Sequence, residues 1–196
     1  MNRISGWFKR PPAVLRAGHP SLRLRAEPVN PADLPTHKLA RVVSDMRAVF
    51  ASPYTPVVGL AAPQIGHPLR IIAYRVEDAA LLKERKIAAV PLTFLVNPVL
   101  TITDRAPQAK WAAEYESCES VPQYNAKVRR ANEVKVEGLD LDGEKVTLHA
   151  QGFLAKVLQH EVDHLEGRLY IDIMDPKSFR HDKYIDKYEV YATRSR

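Results

Sequence analysis

GFLAKVLQHEVDHLEG, residues 152–167, carries two histidines four positions apart, with a glutamate directly after the first. Helical residues turn about 100° each, so in a helix His160 and His164 lie within about 40° of one another, one turn apart. Two imidazoles so placed can hold one metal ion while Glu161, on the adjacent flank, reaches a water on that ion. The alternative is a solvated helix face rich in charge. Against it stand Phe153, Leu154, Val157, Leu158 and Val162, enough apolar surface to bury the helix over much of its circumference. Burying several ionisable groups there is costly unless a metal or a partner satisfies them. The spacing therefore predicts a buried helix over 152–165, with Gly167 as its C-terminal stop.

Around that helix the chain reads as one α+β domain. A length of 196 residues suits a single well-cored unit, and 45% apolar with 27% charged side chains is ordinary for a soluble globular protein. No apolar run approaches the roughly 20 residues that span a bilayer. Cys118 is the sole cysteine, which excludes an internal disulfide framework. The net charge of +6 is concentrated in residues 1–26, where Arg3, Lys9, Arg10, Arg16, Arg23 and Arg25 meet no acid. The remainder balances to zero, which argues against a specific nucleic-acid binder, whose basic face would run through the fold. Residues 1–12 read as a basic arm or as a remnant of an organellar targeting segment.

The other elements follow from periodicity. DLPTHKLARVVSDMRAVF (33–50) spaces Leu39, Val42, Val43, Met46 and Val49 as an amphipathic helix. TPVVGLAAPQIG (55–66) reads as a strand or loop at a special backbone site. LRIIAYRV and FLVNPVLTI are strand-like, with a polar insertion between them that holds at most a helical turn. NEVKVEGLDLDGEKVTLHA alternates about the turn signal Asp142-Gly143 and predicts a β-hairpin. DPKSFRHDKYIDKYEVYA begins at an Asp-Pro cap and suggests a last, exposed helix within 176–196. Mixed strands with segregated helices point to an α+β domain, with mainly antiparallel sheets packed around the central H-E-x-x-H helix.

A catalytic site of this kind needs a third protein ligand. In the H-E-x-x-H-x-x-G-x-x-H endopeptidase pattern it is a histidine, but Tyr170 stands at that position. His149, at the end of the hairpin, and Cys118, in the turn-like stretch YESCESVP, remain as candidates; a metal-bound thiol is deprotonated. Three ordered blocks, VVGLAAPQIG (57–66), ESCES (116–120) and QHEVDHLEG (159–167), resemble the signature motifs of peptide deformylases. The similarity runs over about residues 13–175, and its motif details are similar to those of the animal mitochondrial branch. The resemblance implies removal of the formyl group from N-formylmethionyl nascent peptides, in a mitochondrion or another reducing compartment, with transient ribosome contact. A deformylase-like protein of weakened catalysis, with a binding role near the ribosome, is the alternative.

The resemblance also implies the roles. Cys118, His160 and His164 would hold one divalent ion, Fe(II) or Zn(II), with Co(II) or Ni(II) also compatible with one thiolate and two imidazoles. Glu161 would shuttle the proton, and Gln64 with the backbone N–H of Glu119 would receive the oxyanion. Backbone at Val58 and Gly59 would pair with the peptide substrate, and Glu116 would orient the ligand histidines. Phe153 and Val157 suit an apolar methionine pocket; Glu114 and Lys156 do not, and Lys156 is expected to reach outward. Bacterial members most often read G-x-G-L-A-A-x-Q and E-G-C-L-S, so Val57, Ser117 and Glu119 depart from the pattern. Ser117 restricts φ where glycine is free. A Glu119 carboxylate facing the site would add negative charge beside the thiolate, so a Glu119→Leu variant is expected to turn over faster.

Overall fold

The computed structural model describes residues 11–34, 36–103, 112–185 and 187. Helix α3, Gly152–Leu165, forms over the predicted range and lies at the centre. Its Ala155, Val157, Leu158 and Leu165 pack against Ile72, Tyr74, Leu95, Val134 and Val136 of a five-stranded sheet. That sheet is antiparallel, in the order β1 (Gly59–Ala61), β2 (Ile71–Val76), β3 (Val90–Ile102), β6 (Glu133–Leu139) and β7 (Lys145–Gln151). Its opposite face is covered by α1, His37–Phe50, through Leu39, Val42, Met46, Val49 and Phe50. Strand residues alternate between faces. Ile72 and Tyr74 accordingly meet α3, whereas Ile71 and Ala73 meet α1. This explains why LRIIAYRV is apolar almost without interruption. Each fully buried Leu, Ile, Val, Met or Phe contributes about 1.5–3 kcal/mol, so both helices are held chiefly by this burial.

Helix α1 starts later than its periodicity suggests. Residues Pro31–Asp33 form a separate 3-10 turn, capped by the Asn30 side chain, and Thr36 is extended (ψ 153°) just before His37. The polar insertion forms the two-turn helix α2, Ala79–Arg85, capped by Asp78. Strand β3 contains Pro98 at a central position, which is tolerable only at a bulge. The β3–β6 register does shift between Val96 and Val99, and Asn97 sits there at φ 52°. Its side chain accepts from Val29 N–H at 2.8 Å and donates to the Val29 carbonyl at 2.7 Å. One residue thus turns the bulge and anchors the N-terminal segment.

A second sheet is formed by β4 (Ala112–Cys118), β5 (Val121–Arg130) and β8 (Arg180–His181). The sequence suggests only a turn around Cys118, because Glu114, Glu116, Lys127, Arg129 and Arg130 obscure any apolar alternation. The structure instead ends a long hairpin strand at that cysteine, with the turn at Glu119–Ser120. The helix expected after Asp175 does not form over Pro176–Tyr184; helical geometry begins only at Ile185. Pro176–Ser178 and Asp182–Tyr184 are 3-10 turns flanking β8, which pairs with β5. Ser178 Oγ accepts from Lys127 N–H at 2.7 Å, and Phe179 stacks on Tyr124 with centroids 5.0 Å apart, contacts that an exposed helix would forgo. The rest of the expected C-terminal helix and the basic arm at residues 1–10 lie outside the described residues. Among those described, no helix is long and apolar enough to cross a membrane.

Asn97→Ala removes both bonds to Val29 and places a side chain that disfavours positive φ at the bulge. A loss of about 2–3 kcal/mol is expected in urea unfolding, and a loss below about 0.5 kcal/mol would show that the bulge is held by other contacts.

Candidate metal centre

The end of β4 and one face of α3 bring Cys118, His160 and His164 together, all buried, with their ligand atoms within 4.8 Å of one another. Cys118 Sγ lies 3.4 Å from His164 Nε2, which lies 3.1 Å from His160 Nε2. Metal bonds of about 2.0–2.3 Å to nitrogen and sulfur put neighbouring donors of a tetrahedron roughly 3.3–3.6 Å apart. The donor set therefore fits one borderline-soft divalent ion. His149 stays in β7, paired with Lys135 of β6, and does not join the cluster. Tyr170 is also absent from it: the ring is buried beside Cys118 and its hydroxyl donates to the Tyr124 carbonyl at 2.8 Å.

Glu116, two residues before Cys118 on the same face of β4, accepts from His160 Nδ1 at 2.5 Å. That bond leaves Nε2 of the ring to face the cluster. Arg130, from the paired strand β5, holds Glu116 through two nitrogens at 3.0 and 2.8 Å and reaches Asp163 at 2.5 Å. Burial alone would raise the Glu116 carboxyl. The hydrogen bond and charge of His160, then those of Arg130, outweigh it and hold the group down at about 2. Burial likewise works against the Arg130 charge, but Glu116 and Asp163 raise its pKa further. Sequence reasoning missed Arg130 and Asp163. Asp163 lies three residues after His160, on the same side of the helix, and is the one signal that could have pointed to a supporting network.

Glu161 is buried, and burial, only partly offset by His160, pushes its carboxyl up to about 7. Its Oε2 has no hydrogen-bond partner among the described residues, nor does Nδ1 of His164. Gly59 of β1 packs directly on this carboxylate: a Cβ there would fall 2.1 Å from Glu161 Oε1. Gly59 is thus required by close approach. Gln64, in a 3-10 turn (Ala62–Ile65) after β1, has its amide oriented by Ala61 N–H, which donates to Oε1 at 2.8 Å. Its Nε2 donates to Ser120 Oγ at 3.3 Å and to Cys118 Sγ at 3.6 Å. Ser120, fully buried and also missed from sequence, donates its N–H to the same sulfur at 3.4 Å.

A cavity of about 580 Å³ opens over this group and is lined by Val58, Gly59, Gln64, Cys118, Glu119, Phe153, Val157, His160 and Glu161 among others. Lys156 does not reach outward: it pairs with Glu114, which Arg85 also holds at 3.0 Å, and all three line one wall. The Val58 carbonyl accepts from Arg75 N–H at 2.8 Å, so strand alternation turns the Gly59 backbone groups to the free edge of β1. Ser117 takes no positive φ, the described non-glycine residues that do being Lys86, Asn97 and Gln123, although the β4–β5 register shifts between Ser117 and Cys118. The Glu119 carboxylate does not stand uncompensated near the cysteine sulfur, for Arg16 lies 3.5 Å from it.

Donors of this type, with a buried carboxylate beside them and an open cleft above, suit the chemistry of a metal-dependent hydrolase. The polypeptide deformylase family model matches residues 11–180, and the chain belongs to that family. It is 38% identical over 178 residues to peptide deformylase 1A, chloroplastic/mitochondrial, of Arabidopsis thaliana, spanning 86% of this chain and 63% of the plant protein. It is 37% identical over 174 residues to the mitochondrial peptide deformylase of Homo sapiens, spanning 85% of this chain and 69% of the human one. The Met-Ala-Ser-bound class I type b peptide deformylase of Acinetobacter baumannii superposes with a TM-score of 0.71 at 32% identity, covering 83% of this chain and 97% of the bacterial one. The chain thus spans less than two thirds of the Arabidopsis relative's length.

Two outcomes test this geometry. Gly59→Ala is expected to displace the Glu161 carboxylate and lower any hydrolytic turnover at least tenfold while the protein stays folded; an unchanged rate would show that the close approach is not needed. For Glu161 the folded-state pKa lies above the unfolded one, so the stability it lends is complete below about 4.5 and is lost as pH rises through about 7. Metal-free Glu161→Gln should therefore unfold later than the parent at pH 8, by on the order of 3 kcal/mol, and the gap should close below pH 4.5. A gap independent of pH would contradict a buried, raised carboxyl.

Proposed function

We propose that this chain hydrolyses the formamide of N-formylmethionyl peptides, releasing formate and a free amino terminus. The observation that carries the reading is the convergence of Cys118 Sγ and two histidine Nε2 atoms beside the buried, unpartnered carboxylate of Glu161. A divalent cation held by Cys118, His160 and His164 would polarise the formyl oxygen and make water a stronger nucleophile at neutral pH. Glu161 takes a proton from the attacking water as its oxygen bonds to the formyl carbon. It then passes that proton to the amine nitrogen as the carbon–nitrogen bond breaks. A carboxyl poised near 7 suits both transfers. Gln64 Nε2 and the Glu119 N–H donate to the oxygen on which negative charge grows. Arg130 keeps Glu116 ionised, and Glu116 keeps the His160 ring in the orientation that presents Nε2.

The substrate backbone adds to the free edge of β1 at Gly59, and the methionine side chain enters beside Phe153 and Val157. Fe(II) and Zn(II) are the assigned metals; a thiolate with two imidazoles also accepts Co(II) and Ni(II). Because formylated chains are nascent, the partner is a peptide emerging from a ribosome, with at most transient contact to the particle itself. We assign the reaction to the mitochondrion, in line with the names of the plant and human relatives.

Protein loaded with Fe(II) or Zn(II) under anaerobic conditions should release formate from formyl-Met-Ala-Ser. Glu161→Ala should lower turnover by about 10²–10⁴ with the metal retained, and a chelator should abolish it. A loaded, folded parent that releases no formate overturns the reading.

A further inference from the structure

Residues 15–17 cross both loops that carry the oxyanion donors. Leu15 N–H donates to the Gln64 carbonyl at 2.8 Å, and Ala17 N–H to the Ser120 carbonyl at 2.7 Å. Between them, Arg16 Nη1 donates to the Glu119 carbonyl and stands 3.5 Å from the Glu119 carboxylate. The Glu119 carbonyl and the Ser120 N–H belong to one planar peptide unit. The N–H end of that unit is the donor that reaches Cys118 Sγ at 3.4 Å. A guanidinium therefore sits at the oxygen end of a single peptide dipole, and the cysteine sulfur at its hydrogen end. Cationic charge at the oxygen polarises the peptide and strengthens its N–H as a donor. A hydrogen bond to a ligand sulfur withdraws electron density and so tunes whatever metal that sulfur binds.

We propose that Arg16 is a positioning residue of the metal centre: it holds the Glu119 carbonyl and balances the Glu119 carboxylate, and thereby fixes the Ser120 N–H on the Cys118 thiolate. The inference rests on the proposed role of Cys118 as a ligand. It makes Arg16 and Glu119 a matched pair. The carboxylate that would otherwise enrich the sulfur is answered by a cation from the N-terminal segment, and the same cation orients the peptide that draws density away. Without Arg16 both effects reverse, and the thiolate becomes the stronger donor. Arg16 is more than half exposed and belongs to none of the apolar cores, so its removal leaves the fold intact.

The Co(II)-substituted protein reports the sulfur directly, through its thiolate-to-cobalt charge-transfer band. Arg16→Met is expected to move that band to lower energy and to lower kcat for formate release about three- to tenfold, with KM changed less than twofold. Arg16→Lys keeps the charge but not the planar fork that spans carbonyl and carboxylate, and should shift the band in the same direction by less. A band that stays in place in both variants, or moves to higher energy, overturns the role of Arg16, as does a fall in Tm without any spectral change. A parent protein that binds cobalt without a thiolate band overturns the assignment of Cys118, and the proposal for Arg16 falls with it.

Discussion

Arg130 is the side chain on which the rest of this structure depends. It is buried on β5, where a lone guanidinium would be costly, and it is satisfied by Glu116 on β4 and Asp163 on α3. Three elements are therefore tied at one point, through Arg130. Removing one partner of such a group typically costs about 3–5 kcal/mol, because the survivors stay buried and unpaired. Two carboxylates meet two guanidinium groups here, since Asp163 also pairs with Arg168 at 3.2 Å. Glu116 in turn accepts from His160 Nδ1, which favours a ring whose other nitrogen donates strongly to a cation. Stability and chemistry here share the same atoms.

The layers around this point explain how donors from distant parts of the chain reach one place. The five-stranded sheet is packed between α1 and α3 by interleaved apolar side chains, so α3 cannot rotate without exposing Leu158 or Leu165. Its polar face is thus held toward the second sheet, where β4 delivers Cys118. Gly59 lets the edge of the first sheet close onto Glu161, and the strand that carries this glycine leads into the turn that carries Gln64. The N-terminal segment then laces the Gln64 and Ser120 loops together through backbone bonds. Burial raises the Glu161 carboxyl while bonding to His160 and Arg130 lowers Glu116, so the carboxylate next to His160 in sequence and the one bonded to its ring are shifted in opposite directions.

The departures of this sequence from the commoner family pattern have different weights in the structure. Ser117 is neutral, since its backbone needs no positive φ. Glu119 is answered by Arg16. Glu114 and Lys156, which suit an apolar pocket poorly, satisfy one another and Arg85 along one wall of the cleft, leaving Phe153 and Val157 to face its interior.

Much of the site was legible in the residues. The four-residue spacing of His160 and His164 and the apolar face around them require a buried helix, and the hairpin about Asp142-Gly143 follows from strict alternation. What periodicity could not show is the β4–β5 hairpin, whose inward positions mix Glu116 and Arg130 with the apolar Ala126 and Val128. A charge that is buried and paired looks, in one dimension, like a charge in water. The same holds for residues 176–184, where an Asp-Pro cap suggests a helix but pairing with β5 and the Tyr124–Phe179 stack win. The sequence by itself determined which side chains could hold a metal and move a proton, because donor chemistry and helical spacing are local properties. Only the tertiary structure decided that Cys118 and not His149 joins the two histidines, and which carboxylate and cations surround them, because those partners meet through contacts between residues far apart in the chain, such as Arg16 and Glu119, 103 positions apart.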